Sequence, residues 1–179
     1  MRRIFYILSL LSDDDVDWLI SVGERLDISA GKPIITEGER IRAIYIILAG
    51  RFTVTVGERR TKLADLSAGE MVGEISLIDS RPPTATVTAT EPSVVLRMSD
   101  TMVHARLRTD SAFGARLYKA IAVFLAQRLR STVNSLGYSA SQRLDENIEA
   151  QDEIDPDLLD SLSLAGARFN VILDRLQKN

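Results

Sequence analysis

The residue types with most chemical promise in this chain lie in one run, Leu66-Ser67-Ala68-Gly69-Glu70-Met71-Val72-Gly73-Glu74-Ile75-Ser76-Leu77. A glycine at position 73 can turn sharply and bring backbone close to a ligand with no Cβ in the way. If residues 74–77 then make one helical turn, their free amides face an anion. That is binding chemistry, and the chain offers little of any other kind. It has one histidine, His104, and no cysteine. A disulfide framework, a thiolate zinc site and a cysteine nucleophile are therefore excluded. Metal sites inside β-barrels need several converging imidazoles, which one histidine cannot supply. Nor can His104 make a nucleophile–base array without a partner. Asp13, Asp14, Glu39 and Glu58 fall on caps and turns, and no Walker-type phosphate grip is present. We expect no catalytic residue, no metal and no enzymatic activity.

The elements that would hold this run can be read from spacing. Ser12 before Asp13-Asp14-Asp15 is a capped helix start with acids in the first turn. Val16, Leu19, Ile20 and Gly23 then recur at helical spacing, which predicts a helix to about Arg25. From Ile28 short stretches rich in Ile, Val and Thr alternate with turns at Glu37-Gly38-Glu39, Gly50, Gly57-Glu58, Gly69 and Gly73. Many short strands with glycine and proline punctuation and no long helix between them predict an antiparallel β sandwich or barrel. Beyond Asp100 the period turns helical again. Phe113, Leu117, Ile121, Phe124, Leu125, Arg128, Leu129 and Thr132 form one stripe of a helix from about Ser111 to Leu136, stopped by Gly137. The stretch 138–154 reads as an acidic linker. Asp155-Pro156 then caps a closing amphipathic helix striped by Leu158, Leu159, Leu162, Ala165, Phe169, Ile172, Leu173 and Leu176. That helix must fold back on the domain or onto a second subunit. The expected organisation is a helical segment over 1–27, a barrel over 28–99, lid or dimer helices over 100–137, the linker, and a helix within 155–179.

Composition narrows the class. With 179 residues, 45% hydrophobic and 26% charged, the chain suits one soluble domain with an appendage. A net charge of -3 gives no basic footprint for nucleic acid. Met1-Arg2-Arg3 followed by the apolar Ile4 to Leu11 resembles a short signal peptide. The run is too brief to span a bilayer, though, and it leads into Asp13-Asp14-Asp15 rather than a small-residue cleavage site. A buried N-terminal helix or strand, a cytoplasmic location and no membrane partner are the expectations.

Four features together resemble the cyclic-nucleotide-binding domain of the catabolite-activator and kinase-regulatory-subunit superfamily. Glu37-Gly38-Glu39 with Ala43-Ile44-Tyr45-Ile46-Ile47-Leu48-Ala49-Gly50 looks like two early strands and their glycine turn. Leu66 to Leu77 is similar to the phosphate-binding cassette, Pro82-Pro83-Thr84-Ala85-Thr86-Val87 to the strand that closes it, and the long helix follows. The resemblance covers about Ser12 to Leu136 and implies a β jelly roll with flanking helices. It implies a cyclic nucleotide, cAMP or cGMP, as ligand, with no other cofactor. Gly73, Glu74, Ile75 and Ser76 would line the site, Glu74 taking the ribose 2′-hydroxyl, with Thr84 and Ala85 beside the cyclic phosphate. The long helix would act as lid and homodimer seam, with Gln127, Arg128 and Thr132 as candidate base contacts.

One departure bears on ligand binding. The family's cassette carries an arginine where this chain has Pro83, which holds no charge and offers no donor. Losing a charged partner to a buried phosphate costs about 2–5 kcal/mol, roughly 30-fold to several thousand-fold in affinity. Arg81 is the nearest candidate replacement, with Arg97 and Arg128 farther away. Three readings stand: a cyclic nucleotide held through Arg81 and backbone amides, another anionic nucleotide, or a degenerate pocket serving as a protein-interaction platform. A transcription regulator of the Crp/Fnr type would need a helix-turn-helix with basic residues at its recognition helix. The closing helix instead opens with Asp155, Asp157 and Asp160. The downstream protein partner is not specified by the sequence.

Overall fold

The computed structural model describes residues 4–137 and 156–177, which form eight strands and six helices. Helix α1 (Ile4–Leu10) accounts for the apolar run after Arg3, and α2 (Asp13–Val22) follows it. Ser12 Oγ accepts the Asp15 backbone N–H at 3.2 Å, and Asp15 Oδ2 accepts that of Ser12 at 2.9 Å. This reciprocal cap satisfies two donors that a helix start otherwise leaves open. The helix ends at Val22 rather than near Arg25, because Gly23 is extended and the next residues pair as strand β1 (Glu24–Ile28) against β8 (Ser93–Ser99). The β structure thus begins before the expected residue 28.

The remaining strands are β2 (Pro33–Ile35), β3 (Ala43–Ala49), β4 (Arg51–Val56), β5 (Thr61–Ser67), β6 (Met71–Val72) and β7 (Thr86–Ala89). They make two antiparallel sheets, ordered β1-β8-β3-β6 and β2-β7-β4-β5. Side chains alternate across a strand, so β3 shows what each face of the first sheet covers. Ile47 of β3, with Val95 and Val72, joins Ile35, Phe52, Val54, Leu66, Val87 and Ala89 between the sheets. Ile44, Ile46 and Leu48 point the other way, into a second core built with the helices. Both faces of this strand are buried, which is why Ala43 to Ala49 is apolar throughout. In the outer sheet Phe52 and Val54 are buried while Thr53, Thr55, Thr86 and Thr88 face outward, only partly covered.

Helix α3 (Glu74–Asp79) lies between β6 and β7. After β8 the chain enters α4 (Asp100–Thr109) and then α5 (Ser111–Gly137). Asp110 separates the two with an extended backbone, and its carboxylate accepts the Phe113 N–H at 2.8 Å as a start cap for α5. Helix α6 (Pro156–Gln177) folds back on its own domain, against α1 and α2. Its buried residues Ala165, Phe169, Ile172 and Leu176 match the predicted stripe, with Leu173 packed beside them. Each large apolar side chain so buried contributes about 1.5–3 kcal/mol. The expected linker over 138–154 and the cap at Asp155 lie outside the described residues, as do the side chains of Leu158, Leu159 and Leu162. No described helix is long and apolar enough to cross a membrane.

Candidate functional site

The site is built where β6 ends. Gly73 takes φ +93°, a left-handed conformation that side chains strain against, and a Cβ there would stand 2.6 Å from the Ala43 carbonyl oxygen. Glycine is required on both counts, and it turns the chain so that α3 starts against the beginning of β3. The first residue of α3 is Glu74, a carboxylate only 1% exposed. Arg128 of α5 reaches it, Nη1 donating to Oε1 at 3.1 Å. Burial pushes the Glu74 carboxyl above the usual carboxylate range, and Arg128 and the residue's own backbone N–H offset only part of that.

The other sequence-predicted residues spread around this centre. Ile75 is half exposed, and the Ser76 carbonyl accepts the Ser80 N–H at 3.1 Å as α3 closes. Thr84 is exposed, whereas Ala85 packs against the core between the sheets. The Pro83 carbonyl accepts the Gly38 N–H at 2.9 Å, and Thr86 Oγ1 accepts that of Glu37 at 3.0 Å. The segment closing the cassette is thereby tied to the turn after β2. Arg81 points outward with its side chain 84% exposed, 3.9 Å from Asp79, and Arg97 pairs with Glu24 at 3.2 Å. Gln127 is partly buried one position before Arg128, and the side chain of Thr132 lies outside the described residues. The fold therefore joins Gly73, Glu74 and Arg128, and leaves Arg81 in solvent. The pairing of Glu74 with Arg128 spans 54 positions and has no local signal in the sequence. A separate polar hollow of about 450 Å³ opens on the outer face of the second sheet, near Thr55, Thr86, Thr88 and Arg60, away from Glu74.

Residues 25–110 match the cyclic nucleotide-binding domain family. These residues form a domain of that family. The chain is similar to the cyclic AMP receptor protein of Thermus thermophilus, at 31% identity over 123 residues, 67% of this chain and 55% of the relative. It is also similar to the Pycsar effector protein PaPycTIR of Pseudomonas aeruginosa, at 38% identity over 82 residues, 45% of this chain and 26% of that one. The chain thus spans little more than half the length of the first of these relatives and about a quarter of the second. Among solved structures, a cyclic nucleotide-binding domain from Methylobacillus flagellatus shares the fold with a TM-score of 0.68. That likeness covers 80% of this chain and 85% of the other at 20% identity. The antiparallel sandwich or barrel read from strand spacing, and the jelly roll that the resemblance implies, agree with the observed architecture.

In this cyclic-nucleotide-binding domain the helices are fastened to one another by a second buried carboxylate. Asp15 is fully buried, and Arg106 Nη2 of α4 donates to its Oδ1 at 2.7 Å. Arg116 of α5 donates to both its oxygens, at 2.6 and 3.0 Å. Burial alone would raise its carboxyl, but the Arg116 and Ser12 hydrogen bonds outweigh that and hold it below the usual range. The Arg106 guanidinium lies 4.7 Å from the Trp18 ring centre and 4.2 Å from that of Phe113, a cation–π arrangement that holds it in place. The arrangement fixes the start of α5, whose later turns carry Arg128 to Glu74.

Proposed function

We propose that this chain is a non-enzymatic sensor module that binds a cyclic nucleotide against Gly73, Glu74, Ser76 and Thr84. It signals by moving α5 and by contact with a protein partner. The observation that carries this reading is Glu74, a carboxyl group held out of solvent beside Arg128, directly behind a glycine that permits close backbone approach. A buried carboxyl suits a ribose hydroxyl, and in its ionised form, which Arg128 favours, it accepts a stronger hydrogen bond than a neutral group would. The helix that contacts Glu74 is also the helix that must move to admit a ligand, so binding and movement share one element. A ligand shifts such a balance only by the difference in its affinity for the two arrangements. The protein would work in the cytoplasm, with no nucleic acid or membrane partner.

A second reading has its own support. Pro83 stands where the superfamily resemblance implies an arginine, and the neighbouring Arg81 is turned away toward Asp79. The cassette would then be a rigid platform for a protein, presenting Ile75 and Ile78, each about half exposed. Thermal unfolding with cAMP, cGMP, cyclic dinucleotides and ordinary nucleotides separates the two, since a ligand that prefers the folded state raises the melting point. We expect one cyclic nucleotide to raise it, and Glu74→Ala to abolish the rise. A panel with no rise would transfer the case to the platform.

A further inference from the structure

The cassette carboxylate already has a partner inside the chain. Glu74 is 1% exposed, so anything that hydrogen-bonds it must reach it under α5, and it must do so beside a guanidinium whose own side chain is 27% exposed. Arg128 does not sit there by packing alone. The neighbouring Leu129 is 65% exposed and Val133 is 56% exposed, so beyond Leu125, which packs against the core, the described apolar side chains near Arg128 face outward. Earlier in α5, by contrast, Phe113, Ala120, Ile121 and Phe124 are all 1% exposed or less. Among the described side chains the deepest burial of α5 lies in its first half, and the charged pair ties the turn at Arg128 to the cassette.

We infer that Arg128 is an internal counter-ligand: a clasp that competes with the hydroxyl of an incoming nucleotide for Glu74 and so links occupancy of the cassette to the position of the later turns of α5. The inference rests on the nucleotide reading for the identity of the competitor, while the clasp itself stands on the pair. In competition the two occupants of the carboxylate oppose each other. Weakening Arg128 must then free α5 and also favour the ligand. A residue that contacted the ligand would do the reverse, because its removal would weaken binding.

Two measurements on the full chain separate these outcomes. The first needs no nucleotide: hydrogen exchange of residues 127–133 in the unaltered protein, Glu74→Gln, Arg128→Gln and the double variant. Each single change should speed exchange by about 10-fold, and the double variant should add little, since each single change already breaks the Glu74–Arg128 pair. No acceleration, or fully additive acceleration, overturns the clasp. The second is binding of cAMP, cGMP and 2′-deoxy-cAMP near pH 8. Arg128→Gln should bind the matching ribonucleotide roughly 3–10-fold more tightly, as expected when a competing state is removed. The 2′-deoxy ligand should gain nothing. Equal or weaker ribonucleotide binding by Arg128→Gln overturns the competition. If neither protein binds any nucleotide while the exchange results are non-additive, the nucleotide reading fails and the clasp stands as a link between cassette and helix.

Discussion

Asp15 and Glu74 are both carboxylates removed from water, and their surroundings push them in opposite directions. Asp15 receives hydrogen bonds from Arg106, Arg116 and Ser12, so its charged form is favoured in spite of burial. Glu74 is dominated by burial, which favours the neutral acid, and Arg128 compensates in part. The pH consequences follow with opposite signs. With its folded value lowered, Asp15 contributes stability above the ordinary carboxylate range, and that stability disappears as pH falls through the folded value. With its folded value raised, Glu74 costs nothing while protonated in both states, and it costs stability as pH rises through the folded value. We expect Asp15→Asn to lose about 3–5 kcal/mol at neutral pH, as for a broken buried ion pair, and to approach the parent protein in acid. Glu74→Gln should gain on the parent as pH rises. Urea unfolding across the acid-to-neutral range measures both; parallel curves for either variant would contradict its assignment.

Among the elements, α6 changes most between sequence and structure. By itself it is an amphipathic stripe with no stated partner; in the fold it lies on α1 and α2. Arg168 fastens it, donating to Asp13 at 2.7 Å and to the Leu8 and Leu11 carbonyls at 2.6 and 2.7 Å. These carbonyls lie in the last turn of α1 and just past its end, where a helix leaves acceptors without internal partners. The residue after Arg168, Phe169, is 1% exposed, in the core shared with α1 and α2. Its replacement by alanine should cost about 3–5 kcal/mol and loosen α1 first, because α6 packs mainly against α1. Denaturant titration gives the first quantity and amide exchange over 4–10 the second. A loss below about 1 kcal/mol would mean that α6 is only lightly attached.

For the whole molecule the question is what becomes of the uncovered face of α5. Tyr118, Leu129 and Val133 are all about half exposed or more, on a helix whose other face is packed against the domain. A second copy laid along this face is the homodimer the sequence reading expects. Light scattering at micromolar concentration should give twice the chain mass, and Leu129→Glu should halve it by placing a charge in the seam. A monomeric parent protein would refute the arrangement. A dimer seam here would also place the clasp at Arg128 one position from the partner, so ligand and assembly would act on the same turns of α5.

The sequence determined those features whose cause is local. Ser12 and its acids specify the start of α2; the strand pattern with its glycine turns specifies an antiparallel β sandwich or barrel; Gly73 specifies the turn before α3. Each depends on backbone preferences and side-chain periodicity within a few residues. Even there Gly23 ended a helix earlier than periodicity implied, because pairing of Glu24 with Arg97 prevailed over helical spacing. Only the tertiary structure decided which charges meet. Arg128 faces Glu74, Arg116 faces Asp15 and Arg168 caps α1, at separations of 54, 101 and 160 or fewer positions. Arg81, nearest in sequence to the missing cassette arginine, points into solvent instead. Ion pairs across such distances follow from how sheets and helices pack, and no short-range pattern in the chain encodes them.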